Sequence, residues 1–198
     1  MNPQPLIGIS GRKRAGKDTL ASFLVEDHGF TRLAFADPLK AIIAELNPIV
    51  RCEECYSEDY RLSSLLAEGG WEHAKEAPEV RRLLQVHGGA VRKHIGENVW
   101  VDATISKAHY LLAEGKPVVI PDVRYLNEAE RIKALGGIVV RINRPGTADG
   151  TDQTDLHISE TALDDYEFDY VVVNDSSTDY LRQIAKSFAR VVGAAPIF

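Results

Sequence analysis

Cysteine is nearly missing from this chain: the two present, Cys52 and Cys55, sit together in RCEECYSED. A lone CxxC could be a redox pair or half a zinc site, but the redox motif normally opens a helix after a strand, and no second pair or well-spaced histidine or cysteine completes a zinc tetrahedron. Glu53 and Glu54 tend to raise the thiol pKa values, so both cysteines are expected to be ordinary reduced thiols. Long apolar runs are missing as well. None approaches the roughly 20 residues that span a bilayer, and the opening MNPQPLIGIS lacks the basic region and cleavage site of a signal peptide. The expectation is a cytoplasmic protein with no membrane partner. Excess positive charge is the third absence. A formal charge of −6 argues against a protein that coats nucleic acid, and no stable nucleic-acid partner is expected. It leaves room for a local basic pocket that takes a small polyanion.

What is present is an ordinary globular composition, 44% hydrophobic and 26% charged over 198 residues, enough for one domain, with or without an insertion. There is no internal repeat and no low-complexity tract. Five strand-like segments stand out. PLIGIS is almost wholly apolar, as a strand covered on both faces should be, and FTRLAF, from Phe30, is shorter and mixed. PVVIPD (Pro117 to Asp122), GIVVRI (Gly137 to Ile142) and YVVVND (Tyr170 to Asp175) complete the set. Helical patterns fall at about Lys17 to Asp27, Pro38 to Leu46, Asn127 to Leu135 and Thr178 to Val192.

Residues 51 to about 113 contain no good strand and read as consecutive helices, EDYRLSSLLAEG, PEVRRLLQVHGGAVRKHIG and NVWVDATISKAHYLLAEG. Strand–helix alternation interrupted by a helical stretch predicts an α/β fold, a parallel sheet flanked by helices with a helical insert. The core is expected over 1–50 and 114–198. Arg144 to Glu160, about 15 residues of turn-rich composition, is too long for an ordinary connector and reads as a lid.

Gly11-Arg-Lys-Arg-Ala-Gly16-Lys17 satisfies G-x-x-x-x-G-K between a buried-type strand and a helix, the context in which that motif is a phosphate loop. Backbone N–H groups at a helix N-terminus form a concave anion seat, and Lys17 would reach β- and γ-phosphates. Asp18 stands where a hydroxyl usually meets magnesium. A carboxylate there can hold Mg²⁺ directly or through its water, while the hydroxyl of Thr19 is placed for an α- or β-phosphate. Arg12, Lys13 and Arg14 put three cations in the loop, more than one triphosphate requires. Some of that charge is expected to face a second phosphate group.

GRKRAGKDTLA, LAFADPLK, RRLLQVHGG with NVWVDA, VVIPDVRYLNEAERIKALGGIVVRINRPG and DLHISE together resemble the deoxynucleoside monophosphate kinases of bacteriophages. The blocks occur in that family's order and reach from the N-terminus to about Asp175. The resemblance implies a P-loop kinase with a five-stranded parallel sheet, an acceptor-binding helical insert and a lid. It implies transfer of the γ-phosphoryl of ATP to a deoxynucleoside monophosphate with Mg²⁺, in the host cytoplasm if the chain is of phage origin. It places Gly11, Arg14, Ala15, Gly16, Lys17, Asp18 and Thr19 on ATP. Lys13, Lys40, the pair Arg81 and Arg82, Trp100, and Asp122, Arg124 and Glu128 fall to the acceptor. Lys17, Arg82 and Arg124 are then the catalytic cations, and Asp18 and Asp122 the metal-side carboxylates.

The residues alone are less definite. Arg81 and Arg82 suit bidentate phosphate binding, but adjacent helical residues diverge, so one is the principal clamp and the other could form a surface ion pair. Asp122 could hold a magnesium water or a sugar hydroxyl, or cap the next helix; Arg124 reads as phosphate-facing. Glu128 could instead pair with Arg131 or Lys133. Trp100 could stack on a base or fill the core, and Gln85 could meet a base edge or only water. Arg141 and Arg144 flank a strand end, where one could reach the nucleotide as the lid closes. Asp155, His157 and Glu160 are weak as a metal set, and His157 receives no role. The glycines and histidines of VHGGAVRKH leave the base preference open, and a homodimer is left open too. The rival readings are a P-loop kinase of another small acceptor, such as dephospho-coenzyme A or phosphomevalonate, and an ATP-binding sensor without turnover.

Overall fold

The computed structural model describes residues 5–50, 60–146 and 162–193. Two expectations fall outside them: the thiols of Cys52 and Cys55, and most of the lid with Asp155, His157 and Glu160. The chain forms two compact units, Ala36–Trp100 and the remainder.

The larger unit holds one sheet built from β1 (Leu6–Ser10), β2 (Thr31–Arg32), β3 (Val118–Ile120), β4 (Ile138–Asn143) and β5 (Tyr170–Val173), in the order β2-β3-β1-β4-β5. Every pairing is parallel. β1 is central, and all five of its residues are buried, which explains a strand sequence with no polar alternation. Successive side chains point to opposite faces, so the sheet feeds two cores. Ile7, Ile9, Val119, Val140, Ile142 and Val172 meet α1 (Lys17–His28) and α7 (Thr178–Val191) through Leu20, Leu24, Leu181 and Phe188. Leu6, Val118, Ile120 and Val139 face α6 (Leu126–Ala134) and the body of α5 (Val99–Ala113) through Ile132, Ala129, Val101 and Ile105.

The five-stranded parallel α/β architecture is the one expected. The segment FTRLAF contributes only two strand residues, Thr31 and Arg32; Phe30, Leu33 and Phe35 beside them are buried, and Leu33 N–H continues the pairing by donating to the Val119 carbonyl at 3.0 Å.

The smaller unit contains α2 (Asp37–Leu46), α3 (Leu62–Ala74) and α4 (Pro78–His94). Ile43, Val50, Leu62, Leu65, Val80 and Leu83 make its own core. It begins and ends earlier than the 51–113 insert expected. α2 belongs to it because Leu39 and Ile43 join that core, whereas α5 from Val101 onward buries its apolar face in the larger unit. No helix among the described residues is long and apolar enough to cross a membrane.

Candidate active site

Parallel pairing carries the ends of neighbouring strands to one edge of the sheet. The registers Gly8↔Ile120 and Ser10↔Arg141 therefore bring out the loop after β1, the turn after β3 and the exit of β4 side by side. That edge of an open parallel sheet is where ligands bind.

The loop after β1 is shaped by backbone conformations that its sequence permits. Gly11 adopts φ 146°, and a Cβ there would lie 2.3 Å from the Ile142 carbonyl oxygen, so only glycine fits. Gly16, at φ 105°, is the N-cap of α1, and no side chain caps that terminus. The orphan N–H groups of the first turn are then offered to an anion. Between the glycines, Ala15 is fully buried, and Arg14 takes a left-handed conformation at φ 63°, which costs an L-residue about 1–2 kcal/mol. Lys17 follows the loop and reaches back over it: its Nζ donates to the carbonyls of Gly11 at 2.7 Å and Arg12 at 2.8 Å.

The surrounding cations differ in exposure. Arg12 lies 3.8 Å from Asp164, while Lys13 and Arg14 are exposed. Arg141 is anchored: its guanidinium donates to the Leu163 carbonyl, the Asp164 carboxylate and the Asn143 side chain, and packs over Phe168. Of the two arginines expected at the end of β4, Arg144 is the exposed one. Asp18 is open to solvent, 3.8 Å from Arg32, and Thr19 is half-buried.

At the end of β3, Asp122 accepts the Phe35 N–H at 2.9 Å, and Val123 N–H donates to the Ile9 carbonyl at 3.2 Å. These bonds fix the turn that presents the exposed Arg124. Glu128 was expected at the substrate edge, but its side chain is 2% exposed, and its carboxylate accepts the N–H of Arg124 at 2.7 Å and of Tyr125 at 3.1 Å. The alternative local pairings are not formed either: Arg131 binds Asp102 and Lys133 binds Asp169. Burial and backbone bonding thus give Glu128 the task of holding the Arg124 turn at the start of α6.

Asn174, which the sequence analysis did not single out, is the other organiser. It follows β5, is 6% exposed, and donates from Nδ2 to the Ala15 carbonyl at 2.9 Å. The available signal was an asparagine directly after three valines, where a strand ends at the ligand edge.

In the smaller unit Lys40 lies over the Trp71 ring, 5.9 Å from its centroid. Arg81 and Arg82 are exposed on the N-terminal half of α4 and diverge as adjacent helical residues must. Arg81 donates to the Glu76 carbonyl at 3.3 Å, whereas Arg82 makes two 2.7 Å bonds to Glu79. That carboxylate holds the guanidinium pKa above even its usual high value. Gln85 is exposed one turn further on. Trp100 is 4% exposed and its indole N–H donates to the Gly88 carbonyl at 3.2 Å, so it is packed, with no open ring face.

No group of three or more acidic, histidine or cysteine side chains suited to a metal occurs among the described residues. Asp18, Thr19 and Asp122 are hard oxygen donors. Each is of the type that magnesium accepts while keeping several waters, and none belongs, among the described residues, to a cluster that would cage a resident metal.

Comparison with known proteins agrees with this geometry. A family model described as deoxynucleotide monophosphate kinase matches residues 5–58 and 69–184. A protein of Acanthamoeba polyphaga mimivirus, provisionally named deoxynucleotide monophosphate kinase, is 33% identical over 88% of this chain and 90% of its own. The deoxynucleotide monophosphate kinase of Escherichia phage RB69 is 26% identical over 89% of this chain and 96% of its own. Among solved structures, a dephospho-CoA kinase from Campylobacter jejuni shares the fold, with a TM-score of 0.50 at 15% identity over 94% of this chain and 96% of that one. With its phosphate loop, its Asp122–Arg124 turn and matches over most of its length, the chain belongs to the deoxynucleotide monophosphate kinase family.

Proposed function

We propose that this chain transfers the γ-phosphoryl group of ATP to a deoxynucleoside monophosphate, giving ADP and the deoxynucleoside diphosphate. The observation that carries the reading is the uncapped, glycine-shaped loop at the start of α1, with Lys17 laid across it, at the same sheet edge as the Asp122–Arg124 turn. On this reading Gly11, Arg14, Ala15, Gly16, Lys17, Asp18 and Thr19 hold the ATP phosphates, and Arg144 holds the nucleotide from the exit of β4. Lys13, Asp122 and Arg124 of the larger unit serve the acceptor, with Lys40, Arg81, Arg82 and Gln85 of the smaller. The Trp100 side chain contributes by fixing α4 through Gly88; Glu128 contributes by holding Arg124.

An oxygen of the acceptor phosphate attacks the γ-phosphorus in line. Its P–O bond forms as the bond to the β–γ bridging oxygen breaks, and the electron pair leaves with ADP. Little covalent help is needed; alignment and cationic stabilisation of the equatorial oxygens do most of it. Lys17 exchanges its two loop carbonyls for phosphate oxygens. Arg82 exchanges Glu79 for the acceptor phosphate, a cheap swap because an exposed ion pair is weak and screened. Arg124 offsets the charge that builds between donor and acceptor. Asp18 and Asp122 would hold Mg²⁺, which supplies further neutralisation of the β- and γ-phosphates when bound. Both substrates are soluble nucleotides, so the reaction belongs in the cytoplasm, that of the host if the chain is of phage origin.

The test is a coupled ADP-release assay with Mg-ATP and each nucleoside monophosphate in turn, ribo and deoxy. Turnover with one or more deoxynucleotides is expected. Lys17→Ala should lower kcat/KM by about a hundredfold or more, with an unchanged circular dichroism spectrum. Wild-type silence over the whole panel would sink the proposal.

A further inference from the structure

The phosphate loop leans on a residue from the far end of the chain. Asn174 and Ala15 are 159 positions apart, yet the amide Nδ2 of Asn174 donates to the Ala15 carbonyl at 2.9 Å, and both residues are buried. Asn174 is itself fixed, since its backbone N–H donates to the Asn143 carbonyl at 2.7 Å where β4 ends. The approach is close enough that a Cβ on Gly16 would lie 2.7 Å from Nδ2. A carbonyl can only accept, so the amide must turn its donor end to Ala15.

The consequence follows from the planarity of the peptide. In a trans peptide the carbonyl of one residue and the N–H of the next point in opposite directions, and no cis peptide occurs among the described residues. Holding the Ala15 carbonyl towards Asn174 therefore turns the Gly16 N–H the other way. We infer that Asn174 is a positioning residue for the ATP phosphates: its side-chain amide sets the direction in which the Gly16 N–H is offered to the anion, and so the affinity for the donor nucleotide. The inference rests on the proposed assignment of this loop to ATP. It adds that the exit of β5, where Asn174 stands, governs donor binding and not acceptor binding.

Two variants test it, Asn174→Asp and Asn174→Ala, each checked for fold by circular dichroism. A non-hydrolysable ATP analogue is titrated calorimetrically, and KM is measured separately for ATP and for the acceptor. Loss of a buried hydrogen bond to the loop should weaken analogue binding and raise KM for ATP by about tenfold, with KM for the acceptor within about twofold of wild type. The aspartate variant carries a further signature. An ionised carboxylate facing a carbonyl repels it, whereas the protonated acid can donate in place of the amide. Analogue affinity relative to wild type should therefore recover as the pH is lowered from 8 to 5. A purely structural asparagine would lower thermal stability and leave both KM values unchanged. That result, equal weakening of donor and acceptor, or an aspartate variant without recovery at low pH would overturn the inference. Failure of the wild type itself to bind the analogue would overturn the donor assignment and the inference with it.

Discussion

His28 closes α1 with an imidazole that is 9% exposed and whose buried Nδ1 has no hydrogen-bond partner among the described residues. Burial lowers its pKa from 6.5; Asp27 opposes the shift, while Lys186 and Arg190 reinforce it. The folded state therefore resists the proton that the unfolded chain accepts. Stability from this residue is fully present above about pH 6.5, the ordinary histidine value, and is lost as pH falls through 6.5 towards the lower folded value. Thermal melts should show a falling Tm from pH 7 to pH 5, with a shallower fall in His28→Gln. Identical slopes for the two proteins would remove His28 as the cause. The residue scale is also where the sequence is most and least readable. Gly11, Gly16 and Lys17 announce their task because their chemistry is local to seven consecutive positions. Asn174 and Glu128 do not, because each is defined by what it touches in the folded chain.

At the scale of elements, α6 shows how a helix start can be recruited to a site. Its third residue, Glu128, reaches back to the N–H groups of Arg124 and Tyr125, so the turn after β3 and the first turn of the helix are one hydrogen-bonded piece. Glu128→Ala leaves two N–H groups without their charged acceptor and frees the Arg124 backbone. We expect kcat/KM for the acceptor to fall by about tenfold, the order of a lost charge-assisted bond, with KM for ATP within about twofold. Steady-state kinetics with each substrate varied in turn would decide it; equal loss for both substrates would make Glu128 a fold residue only. Periodicity found helices, and apolar or β-branched runs pointed to all five strand segments, since those signals are carried within each segment. They missed how short β2 is: the strand keeps only Thr31 and Arg32, although the segment around them is as apolar as a longer strand would be. Periodicity also offered Arg131 and Lys133 as neighbours for Glu128 along α6, whereas their carboxylates come from Asp102 and Asp169, 29 and 36 residues away.

For the molecule as a whole, ligand binding to the native state must raise its unfolding temperature by mass action. A donor analogue at a hundred times its Kd stabilises by about 2.7 kcal/mol. For a chain of this size that corresponds to a Tm increase of roughly 5–10 °C. The wild type should show it with a non-hydrolysable ATP analogue and Mg²⁺, and Lys17→Ala should not; a full shift in that variant would separate stabilisation from the phosphate loop.

The strand order carries a consequence for how the chain is made. Among the described residues β1 and β2 are the only strands before residue 118, and they are not neighbours, because β3 lies between them. During synthesis from the N-terminus, no native pairing of the sheet is open to either strand until Val118 to Ile120 have emerged. The smaller unit, continuous from Ala36 to Trp100, is by then fully synthesised. The nascent chain thus holds its phosphate-loop strand unpaired through more than a hundred residues of elongation, and the first unit whose own core residues have all emerged is the one proposed to recognise the acceptor.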